Sequence, residues 1–371
     1  MTVIELDYVA RSRHLARLDA LAERADRAEA AGLAASTRRA YASDWAHFVA
    51  FCERYGLDPL PADPDTVRLY VTELGTALDA EGTPSYRPAT ITRRLSAITR
   101  AHRDAGHPGF GHHPRVAPVL AGVRRQLGTR PRRVRPILLD ELRTILAAMD
   151  HDTWPAGVAA ARDRFVLLAG FAGALRRGEL ASLTVGAVRA VPADGLHLYL
   201  RVSKTDQEQA GATLALPYGA DPATCPPCAW GHWARILEAW AATGRVGAMR
   251  QVLTDRPGDG GHVCRGRLPA ELDPGMPAVP IVRRGGAVAA QAITGAGICA
   301  MLQRRVAAAG GDPAEVGAHS LRAGFVTQAR RNGADTRAIR LQSRHHSDAM
   351  VDVYDREWVP LAGNAVTVLG L

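Results

Sequence analysis

A basic segment bounded by proline, Thr129-Arg-Pro-Arg-Arg-Val-Arg-Pro136, divides the chain into two parts with different patterns of apolar residues. Before this segment, apolar residues recur at the spacing of amphipathic helices, whereas some stretches after it alternate as β-strands do. The chain has 371 residues, which is longer than a chain that folds around a single hydrophobic core usually is. We therefore predict two domains, joined by a linker over residues 129–136.

The part before the linker is predicted to be an all-helical domain over residues 31–128. Ser36 is a suitable N-cap for its first helix, and Gly56 is a suitable stop. Three more helical patterns cover residues 65–79, 88–104 and 116–127. We thus expect four helices in this domain. Residues 1–30 form a separate, predicted helical extension to which the sequence assigns no role.

The third predicted helix is rich in arginine: Arg87, Arg93, Arg94, Arg100 and Arg103, accompanied by a single acidic residue, Asp104. Such a strip can neutralise several phosphates of a duplex, although a run of charge is also typical of a solvated helix face. The candidate DNA contacts of the chain are Arg38, Arg39, Arg87, Thr90, Thr92, Arg93, Arg94, Arg132 and Arg133.

Charge and composition favour an anionic partner. The formal net charge is +9 and the isoelectric point is about 9.8, which suits a nucleic acid. The sequence shows no signal peptide and no stretch of about 18 apolar residues of the kind that crosses a membrane. We expect a cytoplasmic, nucleoid-associated protein with no membrane partner.

The part after the linker, residues 137–371, mixes helices with strands. Residues 195–202 and 212–217 alternate like strands and predict an antiparallel hairpin whose turn contains Lys204. Residues 244–288, rich in Gly, Pro and Arg, are predicted to be an irregular insertion. Helical patterns cover residues 139–149, 159–171, 230–242, 290–309, 319–332, 336–342 and 348–355. The predicted fold class is therefore mainly α with a small antiparallel β-sheet, an α+β domain after an all-α one.

Lys204 is the only lysine among the 46 lysine and arginine residues of the chain. Arginine stays protonated in proteins, whereas lysine can shift its pKa and transfer a proton. Its neighbours in the C-terminal part include five other residues that can handle a phosphate: Arg176, His319, Arg322, His345 and Tyr354. Taken singly, each is more often an ordinary surface or packing residue; the ordered set is what points to chemistry.

In this order, Arg, Lys, His-x-x-Arg, His and Tyr resemble the signature of the tyrosine recombinases of the phage-integrase family. The resemblance covers about nine-tenths of the chain, since residues 31–128 are similar to the core-binding (SAM-like) domain of that family. It implies a site-specific recombinase that cuts and rejoins duplex DNA through a 3′-phosphotyrosyl intermediate and a Holliday junction. Neither a cofactor nor a metal is implied.

The resemblance also implies partners. Family members act as a homotetramer on two DNA sites, and each protomer passes its C-terminal segment to a neighbour; without DNA we expect a monomer. The tail of this chain, residues 356–371, is apolar enough to need a docking site. Docking in trans is our hypothesis, and packing within the same chain is the alternative.

Three of the residues suit the stabilisation of charge on a phosphate. Arg176 and Arg322 offer planar forks to its nonbridging oxygens, and His345 can donate a further hydrogen bond. Glu179, three residues after Arg176, is expected to hold Arg176 or His319 in place.

The other three residues suit proton transfer. Tyr354 is the expected nucleophile, and His319 can accept its proton because the pKa of histidine lies near working pH. Lys204 can protonate the 5′ oxygen as it leaves. Arg177 and His346 are the neighbouring alternatives to Arg176 and His345. Arg344 stands where glycine is more frequent in the family.

Two other functions remain open from the sequence. A type IB topoisomerase would use nearly the same residues to nick and reseal one duplex. A catalytically inactive protein could keep the basic DNA-binding surface alone.

The five cysteines are Cys52, Cys225, Cys228, Cys264 and Cys299, and Cys225 and Cys228 form a CxxC motif. With His262 and Cys264 they could complete four zinc ligands if the intervening segment folded back. A single CxxC is a weak signal. We expect buried or incidental thiols and no metal.

Overall fold

The computed structural model describes residues 17–25, 32, 35–128, 134–201, 211–255, 261–266, 269, 272–317 and 319–352. The chain forms two compact units, Met1–Arg132 and Arg133–Leu371. Most of the predicted linker, residues 129–133, lies outside the described residues. No helix in the described ranges is long and apolar enough to cross a membrane.

The first unit is helical. A short helix, α1, covers residues 17–25 within the predicted extension. Four helices follow: α2 (Ala35–Tyr55), α3 (Pro64–Thr76), α4 (Pro88–Asp104) and α5 (Ala117–Leu127). Their apolar faces meet in one core, in which Phe48, Tyr70, Ile91 and Ile98 are completely buried. The predicted four-helix arrangement is the one observed, with α3 ending at Thr76 rather than at residue 79.

The described residues of the second unit are mainly helical and contain two small antiparallel sheets. Its helices are α6 (Leu139–Ala147), α7 (Ala156–Ala172), α8 (Arg177–Ser182), α9 (Pro226–Thr254), α10 (Gly295–Ala308), α11 (Ser320–Arg331), α12 (Thr336–Ser343) and α13 (residues 348–352). The apolar sequence of α7 makes it the central helix, buried from Gly157 to Gly170 except at the half-buried Ala159. The predicted fold class, mainly α with small antiparallel sheet, is confirmed.

The larger sheet has the strand order β1 (Val188–Val191), β2 (Gly195–Leu200), β3 (Ala212–Leu216). The predicted hairpin is its β2–β3 pair, with Leu196 opposite Leu216 and Leu200 opposite Ala212. Strand β1 was not predicted. The second sheet pairs β4 (Pro280–Val282) with β5 (Val288–Ala292).

The predicted irregular insertion at 244–288 requires correction. α9 continues past residue 242 to Thr254, across a kink at Thr243 and Gly244. Gly244 adopts φ +61°, which ends the first half of the helix, but Ala248 and Val252 then recur four residues apart and are completely buried. That apolar spacing rebuilds the helix despite the high content of Gly and Arg. Strand β4 also lies within the range that was predicted to be irregular.

Candidate active site

The turn after α7 sets the position of Arg176. Ala174 in this turn adopts the left-handed conformation, with φ 44°, at a cost of about 1 kcal/mol for a residue with a Cβ. Two hydrogen bonds hold the turn: the Ala174 N–H donates to the Phe171 carbonyl at 3.0 Å, and Arg322 Nη1 donates to the Ala174 carbonyl at 2.6 Å. Arg176 follows with extended backbone and caps α8. The turn therefore joins the two predicted catalytic arginines.

Glu179, in the first turn of α8, holds two arginines with one carboxylate. Its Oε1 accepts a hydrogen bond from Arg176 Nη1 at 2.8 Å, and its Oε2 accepts one from the Arg176 backbone N–H at 2.8 Å. Oε2 also accepts from Arg344 Nη2 at 2.6 Å. The Glu179 side chain is 4% exposed, and charge-assisted hydrogen bonds are strongest where solvent is scarce. The orientation of Arg176 is thus fixed by the protein.

α11 carries His319 and Arg322 one turn apart. His319 is exposed at the start of the helix, whereas Arg322 is 1% exposed. Gly324 lets the helix approach the segment before α6: a Cβ at this position would lie 1.9 Å from the Ile137 carbonyl oxygen. Only glycine tolerates this approach. The close packing fixes the end of α11 that presents His319 and Arg322.

His345 lies just after α12, among cations. Its Nδ1 is 2.7 Å from Ser343 Oγ, which is also 2.6 Å from the Ile339 carbonyl oxygen. Burial, followed by the positive charges of four neighbouring groups, lowers the pKa of His345 to about 3; these groups are Arg322, Arg176, His319 and Arg344. The ring is therefore neutral at neutral pH. The single hydroxyl hydrogen of Ser343 is donated to the Ile339 carbonyl oxygen, so Ser343 Oγ accepts from Nδ1–H of the neutral ring, and Nε2 carries no hydrogen to donate.

Arg344 also belongs to this group, although it was not among the predicted site residues. It ends α12 in the left-handed conformation, with φ 56°. Its guanidinium donates to Glu179, and its carbonyl oxygen accepts from Arg176 Nη2 at 3.4 Å. Two signals could have found it: it replaces the more frequent glycine of the resembled family, and it directly precedes His345.

The structure brings together four of the six predicted catalytic residues, Arg176, His319, Arg322 and His345, along with Glu179. Lys204 and Tyr354 lie outside the described residues. The neighbouring alternatives are placed differently. Arg177 is exposed and lies beside Gly295, and His346 is exposed, whereas Arg176 and His345 face the other basic groups.

A second group of side chains lies at the beginning of α9. The Cys225, Cys228 and Cys264 sulfurs and a His262 ring nitrogen all lie within 4.8 Å of one another. The segment between the two pairs of residues folds back, which is the condition under which they could form a set of four zinc ligands. This group is distinct from the cationic site on α8, α11 and α12.

No family model matches the chain. Among curated proteins, an integrase/recombinase XerD homolog of Selenomonas ruminantium is 29% identical over 323 residues, which cover 86% of this chain and 81% of that protein. Tyrosine recombinase XerD of Xanthomonas axonopodis pv. citri is 28% identical over 216 residues, 58% of this chain and 55% of that protein. The chain is thus similar to curated tyrosine recombinases and integrases, in one case over most of its length.

A solved structure of a tyrosine recombinase has the same fold. It is the XerH site-specific recombinase bound to a palindromic difH substrate in a post-cleavage complex. The TM-score is 0.50 at 14% sequence identity, over 82% of this chain and 70% of that one. At this identity the likeness concerns the fold alone.

Two of the predicted DNA contacts also make ion pairs within the helical domain. Arg93 makes a two-pronged ion pair with Asp44 of α2, at 2.7 and 3.0 Å. Arg94 lies 4.3 Å from the centre of the Tyr86 ring and 3.6 Å from Asp44. Asp104 was the one acidic residue predicted near the α4 arginines; the structure adds the buried Asp44.

The remaining candidates are placed as follows. Arg38, Arg39 and Arg87 are exposed, whereas Thr90 and Thr92 are half-buried. Thr92 Oγ1 accepts a hydrogen bond from Arg124 Nη2 at 3.0 Å. Arg132 and Arg133 lie outside the described residues.

Proposed function

We propose that this chain is a site-specific DNA recombinase that cuts and rejoins duplex DNA through a 3′-phosphotyrosyl intermediate. The observation that carries the proposal is the cationic site: Arg176, Arg322 and Arg344 converge with His319 on the buried, neutral His345. Three guanidinium groups against the single carboxylate of Glu179 leave an excess of positive charge. A phosphodiester is the anion that such forks suit.

The site is built for charge that develops during cleavage. A pentacovalent phosphoryl group carries more negative charge on its nonbridging oxygens than the phosphodiester does. Donors fixed in advance lower the barrier because they need not reorganise as that charge appears. Arg176 is fixed by Glu179, and Arg322 is fixed by the Ala174 carbonyl. Both arginines are therefore assigned to the nonbridging oxygens.

The proposed nucleophile is Tyr354. Val351 of α13 is completely buried in a cluster with Ala323 of α11 and Ile339 of α12, so α13 packs on helices that lead to the cationic site. Tyr354 follows Val351 by only three positions in the sequence. This short separation supports an attack on the same phosphate by the Tyr354 hydroxyl.

The cleavage step balances as follows. The Tyr354 oxygen forms a bond to phosphorus, and the bond between phosphorus and the 5′ oxygen breaks. His319 takes the phenolic proton, and Lys204 gives a proton to the departing 5′ oxygen. The phosphotyrosyl ester conserves the energy of the broken bond, so the 5′ hydroxyl of a second duplex can rejoin without a nucleotide. We assign strand exchange through a Holliday junction to two rounds of this reaction.

The proposed assembly follows from the chemistry, since exchange between two duplexes needs four cleavages. We propose a homotetramer on two DNA sites, with residues 356–371 docking on the neighbouring protomer, and a monomer without DNA. Deletion of residues 356–371 should then prevent assembly on DNA while each chain still folds. Unaltered tetramer formation by the truncated chain would contradict the docking in trans.

The test of the reaction uses the full chain and DNA fragments from either side of its gene. Denaturing electrophoresis should reveal a covalent protein–DNA adduct, and peptide mass spectrometry should locate the DNA on Tyr354. Tyr354→Phe keeps the ring and removes the nucleophile, so it should bind DNA and give no adduct. An adduct with Tyr354→Phe would overturn the assignment. Relaxation of any supercoiled plasmid, without a preferred site, would instead identify a topoisomerase.

A further inference from the structure

Three cysteines and one histidine converge at the beginning of α9. Cys225 directly precedes the helix, and Cys228 lies in its first turn. His262 and Cys264 belong to a short 3₁₀ turn that follows the helix in the sequence. Their four potential ligand atoms all lie within 4.8 Å of one another. The convergence joins two segments that are far apart along the chain.

The distances match the edges of a tetrahedron around zinc. Zinc binds thiolate sulfur at about 2.3 Å and imidazole nitrogen at about 2.0 Å, so tetrahedral edges are about 3.8 Å between sulfurs and about 3.6 Å between sulfur and nitrogen. Here Cys264 Sγ is 3.9 Å from Cys225 Sγ and 3.3 Å from Cys228 Sγ. His262 Nδ1 is 3.4 Å from Cys228 Sγ and 3.8 Å from Cys264 Sγ.

The surroundings orient the ligands as those of a metal site are oriented. His262 Nε2 lies 3.4 Å from the Ala220 carbonyl oxygen. A hydrogen bond there places the ring hydrogen on Nε2 and leaves Nδ1 free to ligate. The Gly219 N–H donates to Cys225 Sγ at 3.3 Å, which favours the thiolate form.

Burial also points to a closed site. The exposed fractions of Cys225, Cys228 and Cys264 are 0%, 1% and 6%. Zinc with three thiolates carries a net negative charge, which is costly to bury alone. Arg164 of α7, 3% exposed, brings a positive charge to the loop just before Cys225, where it donates to the Pro222 carbonyl at 2.6 Å.

We propose that Cys225, Cys228, His262 and Cys264 bind one zinc ion as a structural site. Four protein ligands close the coordination sphere, and no position is left for a substrate. The ion fastens the segment after α9 to the beginning of the same helix. It thereby stabilises the C-terminal domain through α9, which packs on the central α7: the Phe165 and Trp230 rings lie 5.0 Å apart.

A disulfide is the competing use of these thiols. It would join two sulfurs at about 2.05 Å and leave the third cysteine and His262 without a role. Mass spectrometry of the alkylated, unreduced protein separates the two cases. Zinc thiolates leave all of the cysteines alkylated after metal removal, whereas a disulfide hides two of them.

The test begins with the full chain, purified without a histidine tag, one half with a reductant for metal analysis and the other half without a reductant for the alkylation experiment. Elemental analysis should find about one zinc per chain. Replacement with Co²⁺ should give the intense visible bands of a tetrahedral thiolate site and a thiolate-to-metal band in the near ultraviolet. Protein that folds with no bound zinc, or one that contains a disulfide among these cysteines, would overturn the proposal. Neither measurement depends on DNA cleavage.

Two variants sharpen the test. Cys264→Ser should lose the zinc and unfold at a lower temperature, and a chelator should lower the melting temperature of the native chain but not that of the variant. Cys299→Ser is the matched control, because this half-buried thiol lies outside the group. It should keep the zinc. If Cys264→Ser does not fold, His262→Ala replaces the most accessible ligand and should bind Co²⁺ with an altered spectrum; an unchanged spectrum would contradict the assignment.

Discussion

Glu179 makes hydrogen bonds to both the backbone and the side chain of Arg176. One carboxylate oxygen accepts from the Arg176 backbone N–H and the other accepts from its guanidinium, each at 2.8 Å. The backbone contact is half of a capping box for α8. The side-chain contact orients the fork. One buried carboxylate thus fixes both where Arg176 lies and where it points.

Glu179→Gln should slow cleavage while DNA binding persists. The amide keeps the shape of the side chain but places an NH₂ group against one of the Arg176 donors, which leaves that donor unsatisfied. Loss of an orienting partner of this kind typically costs about 10- to 100-fold. The rate of covalent adduct formation under single-turnover conditions measures the effect. An unchanged rate would mean that Arg176 needs no support from Glu179.

Arg344→Gly should reduce cleavage about 10-fold, less than the loss expected for Glu179→Gln. Glycine relieves the left-handed backbone, a gain of about 1 kcal/mol, but removes a charge-assisted hydrogen bond to the buried Glu179 that is worth about 1.5–3 kcal/mol. The melting temperature should therefore fall slightly. Arg344→Lys is the control, since it keeps the charge and loses the fork. Full activity of Arg344→Gly would leave Arg344 a role in the fold alone.

The elements that could be predicted are those in which apolar residues recur regularly over several helical turns or over both strands of a hairpin. The pattern at 88–104 coincides with α4, and the alternation at 195–202 and 212–217 coincides with the β2–β3 pair. Strands β1 and β4, of four and three residues, are too short for a period to be recognised. The helix over residues 245–254 was not predicted because the high content of Gly and Arg in this range favours irregular structure. Its apolar face has only two completely buried residues, Ala248 and Val252.

Contacts between distant parts of the chain could not be predicted. The pairing of Arg344 with Glu179 joins residues 165 positions apart, and so depends on how α8 and α12 pack. The proximity of His262 to the cysteines likewise depends on tertiary structure. The chemistry-bearing residue types were visible in the sequence, whereas their distances depended on tertiary structure.

His345 should make stability depend on pH. Its pKa falls from 6.5 to about 3 on folding. Between these two pH values the ring is protonated in the unfolded chain but neutral in the folded chain. Stability from this residue is present above the unfolded pKa and is lost as pH falls toward 3. The native chain should therefore lose up to about 1.4 kcal/mol more per pH unit than His345→Asn between about pH 6 and 4. Equilibrium urea unfolding measures the free energy of unfolding at each pH. If this free energy changes with pH equally in the native chain and in His345→Asn, the pKa of His345 is not lowered by folding.

Lys204→Ala should slow cleavage most when the leaving group is an ordinary 5′ oxygen. A bridging 5′ sulfur leaves readily without a proton because a thiol has a much lower pKa than an alcohol. The variant should therefore recover much of its rate on a 5′-phosphorothiolate substrate. Lys204→Arg is the control, since it keeps the charge but does not release a proton. Failure of the sulfur substrate to restore Lys204→Ala would reassign this lysine to DNA binding.

The arginines of the helical domain should separate into two kinds. Arg39 and Arg87 are exposed, so Arg39→Ala with Arg87→Ala should weaken DNA binding and leave the melting temperature unchanged. If each residue neutralises one phosphate, the slope of log binding constant against log salt should fall by about 0.9 per residue. Arg94 is 12% exposed and contacts both Tyr86 and the buried Asp44. Arg94→Ala should therefore lower the melting temperature, unlike the variants of the two exposed arginines. An unaltered salt slope in the double variant would remove Arg39 and Arg87 from the DNA-binding surface.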